Sequence, residues 1–319
     1  MYKFALLSSL TAFAVSAAGP AHVAAWVAEQ GGTMTADRVS LRGAWITDSD
    51  LDVLATIPHL KALDLSQTHI TDLGLERLKK LPDVTELNLY YAERVTDEGI
   101  AHLKGWKKLE RLNLRGTKIT DTALEHISGL ISLVALDAGF AQITDSGLDR
   151  LTNLTHLREL AIGGNKLSDS GLQFLKSLPD LTHLDISGSQ RTDSGLWFVT
   201  VTDLGMEPVA GLKHLRELNL GGTGTTDLGL AKLKELSQLQ SLDLSRTQVT
   251  PKGLETLLVL PRLEKLSLWK APKIDDQAVP VLCRFARLKF LDASETKLSQ
   301  EGLATLSKAL PGVKVTDIK

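Results

Sequence analysis

Apolar residues recur along this chain in a fixed phrase. Leu60-x-x-Leu63-x-Leu65 is followed by Thr71-Asp72-Leu73-Gly74-Leu75, and the two phrases return together. The first begins near positions 60, 84, 109, 133, 157, 181, 215, 239, 263 and 288; most steps are 24 or 25 residues and one is 34. A degenerate first copy is Val39-Ser40-Leu41 with Thr47-Asp48-Ser49-Asp50-Leu51, and Val313-Lys314-Val315 is a truncated last one. Self-similarity at this period predicts stacked units, each burying its apolar face on its neighbours.

The alternation x-Leu-x-Leu-x has the period of a strand. It sends the leucines inward and Asp64, Asn88, Asn113, Asp137, Asp185, Asn219, Asp243 and Asp292 outward. The second phrase predicts a helix start. Thr71, Thr96, Thr120, Thr144, Thr226, Ser168 and Ser299 stand where an N-cap side chain accepts a backbone N–H. Asp72, Asp97, Asp121, Asp145 and Asp227 then fall in the first turn, on the favourable end of the helix dipole. Thr250-Pro251 supports the register, because proline suits the first helical position. Gly74, Gly99, Ala123, Gly147 and Gly171 read as positions where neighbouring turns approach closely, and Leu75, Leu78 and Leu81 as the inner stripe of the helix.

Taken together, these phrases resemble leucine-rich-repeat proteins of the TDxGL type, seen in bacterial secreted proteins and in F-box substrate adaptors. The resemblance covers roughly residues 39 to 318. It implies an α/β fold: a horseshoe-shaped leucine-rich-repeat solenoid of about eleven repeats, with a parallel sheet on the concave face and short helices on the convex face. It also implies a binding role without naming a ligand. No F-box-like helical domain precedes the repeats, so the adaptor role is not carried over.

The N-terminus divides differently. Lys3, the apolar run Phe4 to Val15, and small residues at Val15-Ser16-Ala17 and Ser16-Ala17-Ala18 predict a signal peptide over 1–18. The run is short for a membrane span. Residues 19–38 predict a helical cap, with Val23, Trp26 and Val27 at helical spacing, Trp26 placed in the core, and Gly31-Gly32 ending the helix. The repeat domain takes 39–319, with an insertion near 190–200.

That insertion arises from a doubled helix-start phrase. Thr192-Asp193-Ser194-Gly195-Leu196 is followed by Thr202-Asp203-Leu204-Gly205-Met206. Only the second is in phase with the next strand, and Arg191 is costly at the inward position that Val201 suits. Residues 190–200 are therefore expected as an inserted loop or short helix, carrying Trp197 and Phe198. Two other repeats have one extra residue after the strand, Tyr90-Tyr91-Ala92-Glu93-Arg94 and Trp269-Lys270-Ala271-Pro272-Lys273. Trp106 takes a core position that is leucine elsewhere, whereas Trp45 aligns with polar loop residues.

Composition narrows the function. Lys and Arg total 36 against 38 acids, which gives no basic footprint for nucleic acid. One cysteine, Cys283, allows no intramolecular disulfide. The chain shows no phosphate loop, nucleophile elbow, H-E-x-x-H or C-x-x-C, and no cofactor is expected. The glycine-rich turn Gly221–Thr225 lacks the lysine of a phosphate loop. His183, with Asp185 and the neighbouring Glu159 and Glu217, could form a histidine–carboxylate cluster, and a solvated polar ladder is the plainer reading.

The leading expectation is thus an exported, periplasmic or extracellular, non-enzymatic scaffold for a protein or peptide partner. The alternatives are a carbohydrate or cell-wall binding module, an intracellular ubiquitin-ligase-type adaptor, and a hydrolase using His183. Candidate binding residues are Tyr90, Tyr91, Arg115 and Phe140, with Arg42 extending the patch, and the aromatics Trp197, Phe198 and Trp269. Tyr and Arg combine contact area with polar reach, which suits interface anchors.

Overall fold

The computed structural model describes residues 20–57, 59–81, 83–192 and 195–317; the backbone alone is described for 189–192 and 195–198. Its spine is a 13-stranded sheet: β1 (Thr33–Met34), β2 (Arg38–Ser40), β3 (Ala62–Asp64), β4 (Glu86–Asn88), β5 (Arg111–Asn113), β6 (Ala135–Asp137), β7 (Glu159–Ala161), β8 (His183–Asp185), β11 (Glu217–Asn219), β12 (Ser241–Asp243), β13 (Lys265–Ser267), β14 (Phe290–Asp292) and β15 (Lys314–Thr316), in that order. The remaining two strands, β9 (Ser189–Thr192) and β10 (Gly195–Phe198), form a separate antiparallel hairpin.

From β2 onward every neighbour in the large sheet is parallel and in phase, as Leu63 beside Leu87 beside Leu112 illustrates. Parallel neighbours need a crossover, and here each crossover is a turn plus a short α- or 3-10 helix. The repeats deliver aliphatic residues, mostly leucines, to one continuous core. Leu65, Leu89, Leu114, Leu220, Leu244 and Leu268 are all fully buried.

A ladder of side chains joins the helix starts. The Asp48 carboxylate accepts the backbone N–H and the hydroxyl of Thr71 in the next repeat, at 2.8 and 2.7 Å. The same pair of bonds recurs from Asp72 to Thr96, Asp97 to Thr120, Asp121 to Thr144 and Asp227 to Thr250. The recurring phrase therefore has a second meaning. Thr71, Thr96, Thr120, Thr144 and Thr226 cap their own helices while donating to the previous aspartate. Glycine follows for a steric reason: a Cβ on Gly99 would come within 2.4 Å of Asp72 Oδ1. Ser168 departs from its expected role. It donates to Asp145, and its short helix starts later, at Gly171. Thr250 likewise donates without capping its own helix through its side chain.

One rung is missing among the described residues. Pro251 replaces the aspartate, and the following cap is Asp275, which accepts from Gln277 N–H at 3.0 Å instead of donating backward. Asp276 then resumes the ladder with Ser299.

At the insertion the ladder spans 33 residues, from Asp169 to Thr202. Val201 is fully buried, so the repeat closes around the second phrase, and the extra residues form the β9–β10 hairpin rather than a helix or open loop. The side chains of Trp197 and Phe198 lie outside the described residues.

Helix α1 (Pro20–Glu29) covers the first repeat with Val23 and Val27, both buried. Trp26 was expected in the core; it is only partly buried, because the two valines occupy the inward stripe and the indole packs beside them. Gly31 ends the helix at φ 77°. Antiparallel pairing of β1 with β2 then closes that edge of the sheet. Residues 1–18, where a signal peptide is expected, also lie outside the described residues. Among the described residues, no helix is long and apolar enough to cross a membrane.

Candidate binding surface

The strands place three outward columns on the concave face and its rim. The first runs Arg38, Ala62, Glu86, Arg111, Ala135, Glu159, His183 and Glu217. Arg38 pairs with Glu86 across Ala62, and Arg111 grips both oxygens of Glu159 across Ala135 at 3.2 and 2.6 Å. Two inter-strand steps are about 9.6 Å, a gap that two long side chains bridge only over a small residue. The clamps are near-copies: Arg38-Val39-Ser40-Leu41-Arg42-Gly43 returns three repeats later as Arg111-Leu112-Asn113-Leu114-Arg115-Gly116. The Arg111 guanidinium holds the Glu159 carboxyl below its ordinary range, against the opposing effect of burial.

This occupies one member of the proposed His183 cluster. Glu159 is committed to Arg111, His183 Nδ1 meets the Thr182 hydroxyl at 2.8 Å, and His183 Nε2 lies 3.7 Å from Glu217, beyond hydrogen-bond distance. Groups of three or more potential metal ligands are absent among the described residues. The arrangement is a polar ladder of arginine, glutamate and histidine side chains along the concave face.

The second column is structural. Asp64, Asn88, Asn113, Asp137, Asp185, Asn219, Asp243 and Asp292 each accept the backbone N–H two residues ahead, at 2.8 to 3.1 Å. The bond mimics a backbone turn and ends each strand. Asp137 differs in that burial raises its pKa, opposed by the Gly139 N–H and Arg115.

The rim follows, and every turn there needs one left-handed residue. Glycine meets that need at Gly43, Gly116, Gly164, Gly188 and Gly222, whereas Tyr91 and Phe140 adopt φ 52° and 50°. Their backbones are held by the extended ladder: Tyr91 N–H donates to Arg115 C=O at 2.7 Å, and Phe140 N–H to Gly163 C=O at 2.8 Å. Each ring lies over the glycine of the next repeat. A Cβ on Gly116 would meet the Tyr91 ring at 2.9 Å, and one on Gly164 the Phe140 ring at 2.8 Å.

Most of the expected patch is thereby brought together. Tyr90 and Tyr91 meet edge to face with centroids 4.6 Å apart. The Arg115 guanidinium sits 4.5 Å above the Phe140 ring, with Nη1 at 3.5 Å from Asp137 and 3.8 Å from Asp185. Arg115 thus lies down along Gly139 with its side chain 23% exposed, and is fixed by the fold rather than extended toward solvent. Arg42 is exposed and bonds Gln67 at 3.2 Å, in the turn of the repeat between it and Tyr90. No hydrogen bond joins the Tyr90 or Tyr91 hydroxyl to the described residues.

Trp269 is differently placed. Arg246 and Lys270 lie 4.4 and 4.6 Å from its ring, and its indole N–H donates to Glu295 at 3.0 Å. Its polar group and part of its π surface are already engaged within the protein.

An open parallel sheet with short crossover helices and a polar concave face defines a repeat solenoid, a binding scaffold by architecture. A family model described as leucine-rich repeat region matches residues 38–314, and the chain belongs to that family. No curated protein matches it. Among solved structures it is similar to an internalin (inlF) from Listeria monocytogenes, at 20% identity and TM-score 0.58, covering 93% of both chains. It is also similar to a leucine-rich-repeat protein of Leptospira interrogans, at 18% identity and TM-score 0.54, covering 83% of this chain and 74% of that one. At such identities the likeness is one of fold.

Proposed function

We propose that this protein is an exported scaffold that binds a protein or peptide at the Tyr90–Tyr91–Arg115–Phe140 rim. The observation that carries this reading is the free polar chemistry of the two tyrosines. Tyr91 is 38% exposed, both hydroxyls lack a partner among the described residues, and the rings rest on a rigid base of backbone bonds and Gly116. Rigid aromatic groups with an unspent polar tip lose little entropy on binding and anchor interfaces. Arg115 serves as a positioning residue that holds Phe140 level with them.

Export is supported by the sequence of residues 1–18, and the mature chain from its native host is expected to begin at Ala18 or Gly19. An intact Met1 on soluble cytoplasmic protein would remove that part of the proposal. For the site, replacing Tyr90 and Tyr91 together by Ala is expected to weaken the captured partner by about 2 kcal/mol while barely moving the thermal midpoint. Retained binding with a large stability loss would show that the tyrosines serve packing alone.

A further inference from the structure

A second surface lies past the rim, on the side where each chain segment runs from the strand toward its helix. Here one residue per repeat stands just before the apolar residue that precedes the helix cap. In the first six repeats these are Trp45, His69, Arg94, Lys118, Gln142 and Lys166, all exposed. From Arg94 onward they are stacked in register. The backbone N–H of Lys118 donates to Val95 C=O at 3.0 Å, that of Gln142 to Ile119 at 2.9 Å, and that of Lys166 to Ile143 at 3.0 Å. The stripe therefore advances about 4.8 Å per residue, the spacing of neighbouring strands.

Three features set it apart from the concave face. Trp45 is 85% exposed, the most exposed large apolar side chain described, and it stacks on His69 with centroids 4.9 Å apart and planes 16° from parallel. The histidine covers one side of the indole and fixes its tilt, leaving the other side open. Next, Arg94, Lys118 and Lys166 form no ion pair among the described residues, whereas the concave Arg38 and Arg111 are clamped by glutamates. Finally, the stripe itself contains no carboxylate. Glu93, the extra residue of its repeat, adjoins it, and the aspartates a few residues on are turned into the threonine ladder.

We infer that this stripe binds an acidic polysaccharide. The open indole takes the C–H face of a sugar ring, and Arg94, Lys118 and Lys166 meet carboxylate or sulfate groups farther along the chain, with Gln142 offering a neutral hydrogen-bonding group between the lysines. A linear ligand suits a row with about one inter-strand step per contact. Single-stranded nucleic acid fits less well. Successive bases need successive platforms, and here the two aromatic rings are stacked on each other to give one. A lipid surface would find no apolar group in the stripe beyond Trp45.

The test titrates the full chain with oligosaccharides of polygalacturonate and of chondroitin sulfate, with a neutral cello-oligosaccharide and with oligothymidine. Binding is expected for at least one acidic sugar, which identifies carboxylate or sulfate as the favoured group, and not for the neutral one. It should weaken with added salt. Trp45→Ala should reduce affinity about tenfold, and Lys118→Gln with Lys166→Gln should reduce both affinity and salt dependence. The exposed positions leave the unfolding midpoint as a fold control. The Tyr90→Ala, Tyr91→Ala variant should bind the sugar normally, so this surface stands or falls separately from the rim. Failure of both acidic sugars to bind, equal binding of oligothymidine, or indifference to Trp45→Ala would overturn the proposal.

Discussion

The two repeats with an extra residue after the strand, beginning at Glu86 and Lys265, share a backbone and differ in what they offer to solvent. Both hold an aromatic in the core where other repeats have an aliphatic residue: Trp106 is fully buried and Phe285 is 5% exposed. Both put an aromatic on the rim, Tyr90 and Trp269. In the first repeat the rim rings lean on each other, and their hydroxyls have no partner among the described residues. In the second, Arg246, Lys270 and Glu295 surround the indole. The longer turn is thus a structural device used twice, and among the described residues the first copy alone leaves its rim polar groups without partners. An aromatic on a bulged turn is therefore insufficient to mark a site; its uncommitted polar groups are what distinguish it.

Removing the shared core device should have the largest effect. Trp106→Ala is expected to cost about 3–5 kcal/mol in denaturant unfolding, and Phe285→Ala a comparable amount. Trp106 Nε1 has no hydrogen-bond partner among the described residues, so Trp106→Phe should cost far less than the alanine change, since it removes an unpaired buried donor. A Trp106→Phe loss equal to that of alanine would show that the indole makes contacts the phenyl ring of Phe285 does not reproduce.

The repeats also differ in how they are tied down. Asp97, in the first, accepts Thr120 N–H, the Thr120 hydroxyl and Ala123 N–H. Asp97→Ala should cost about 2–3 kcal/mol, read as faster hydrogen exchange around Thr120 rather than loss of the whole array. The second repeat receives no rung from Pro251 and passes one to Ser299 through Asp276. Ser299 lowers the Asp276 pKa. A folded-state pKa below the unfolded value adds stability above the unfolded value and loses it as pH falls through the folded one. The last repeat should therefore exchange faster in acid, below the ordinary aspartate range, and Asp276→Asn should flatten that dependence.

Much of this architecture is legible in the sequence, because a leucine alternation repeated at a near-constant step leaves few other ways to bury the apolar residues. The register through Thr202 follows from Arg191 and Val201 alone. The aspartate ladder is harder to read: Asp72 looks like a residue of its own first turn, and only the 24-residue distance to Thr96 hints at a partner. The hairpin is hidden for a related reason. Thr192–Leu196 repeats a helix-start phrase, yet the rung from Asp169 goes to Thr202, so the first phrase is left to pair as strands. At the site, column positions juxtapose Tyr90, Tyr91, Arg115 and Phe140, but spacing alone does not reveal that Arg115 lies flat across Gly139 toward Asp185. That requires the missing side chain of Gly139 and the short one of Ala161.

Smaller effects should come from the satisfied groups. Trp269→Ala is expected to cost about 1 kcal/mol of stability without affecting partner capture. Asp137 has its pKa raised by burial, so its ionised form is disfavoured in the folded state and stability declines as pH rises through the raised value. Asp137→Asn keeps an acceptor for Gly139 N–H and should be close to neutral in urea unfolding at neutral pH; a large loss would mean that the attraction of Arg115 outweighs desolvation.

The central claim is that the first rim recognises a partner and the second does not. A photo-crosslinking amino acid placed at Tyr91 in one variant and at Trp269 in another, each returned to the native envelope or medium and illuminated, compares them directly. The account expects a discrete adduct from position 91, lost when Tyr90 is also changed to Ala, and none from position 269. Adducts of equal yield from both positions, or an adduct at 269 alone, would contradict it.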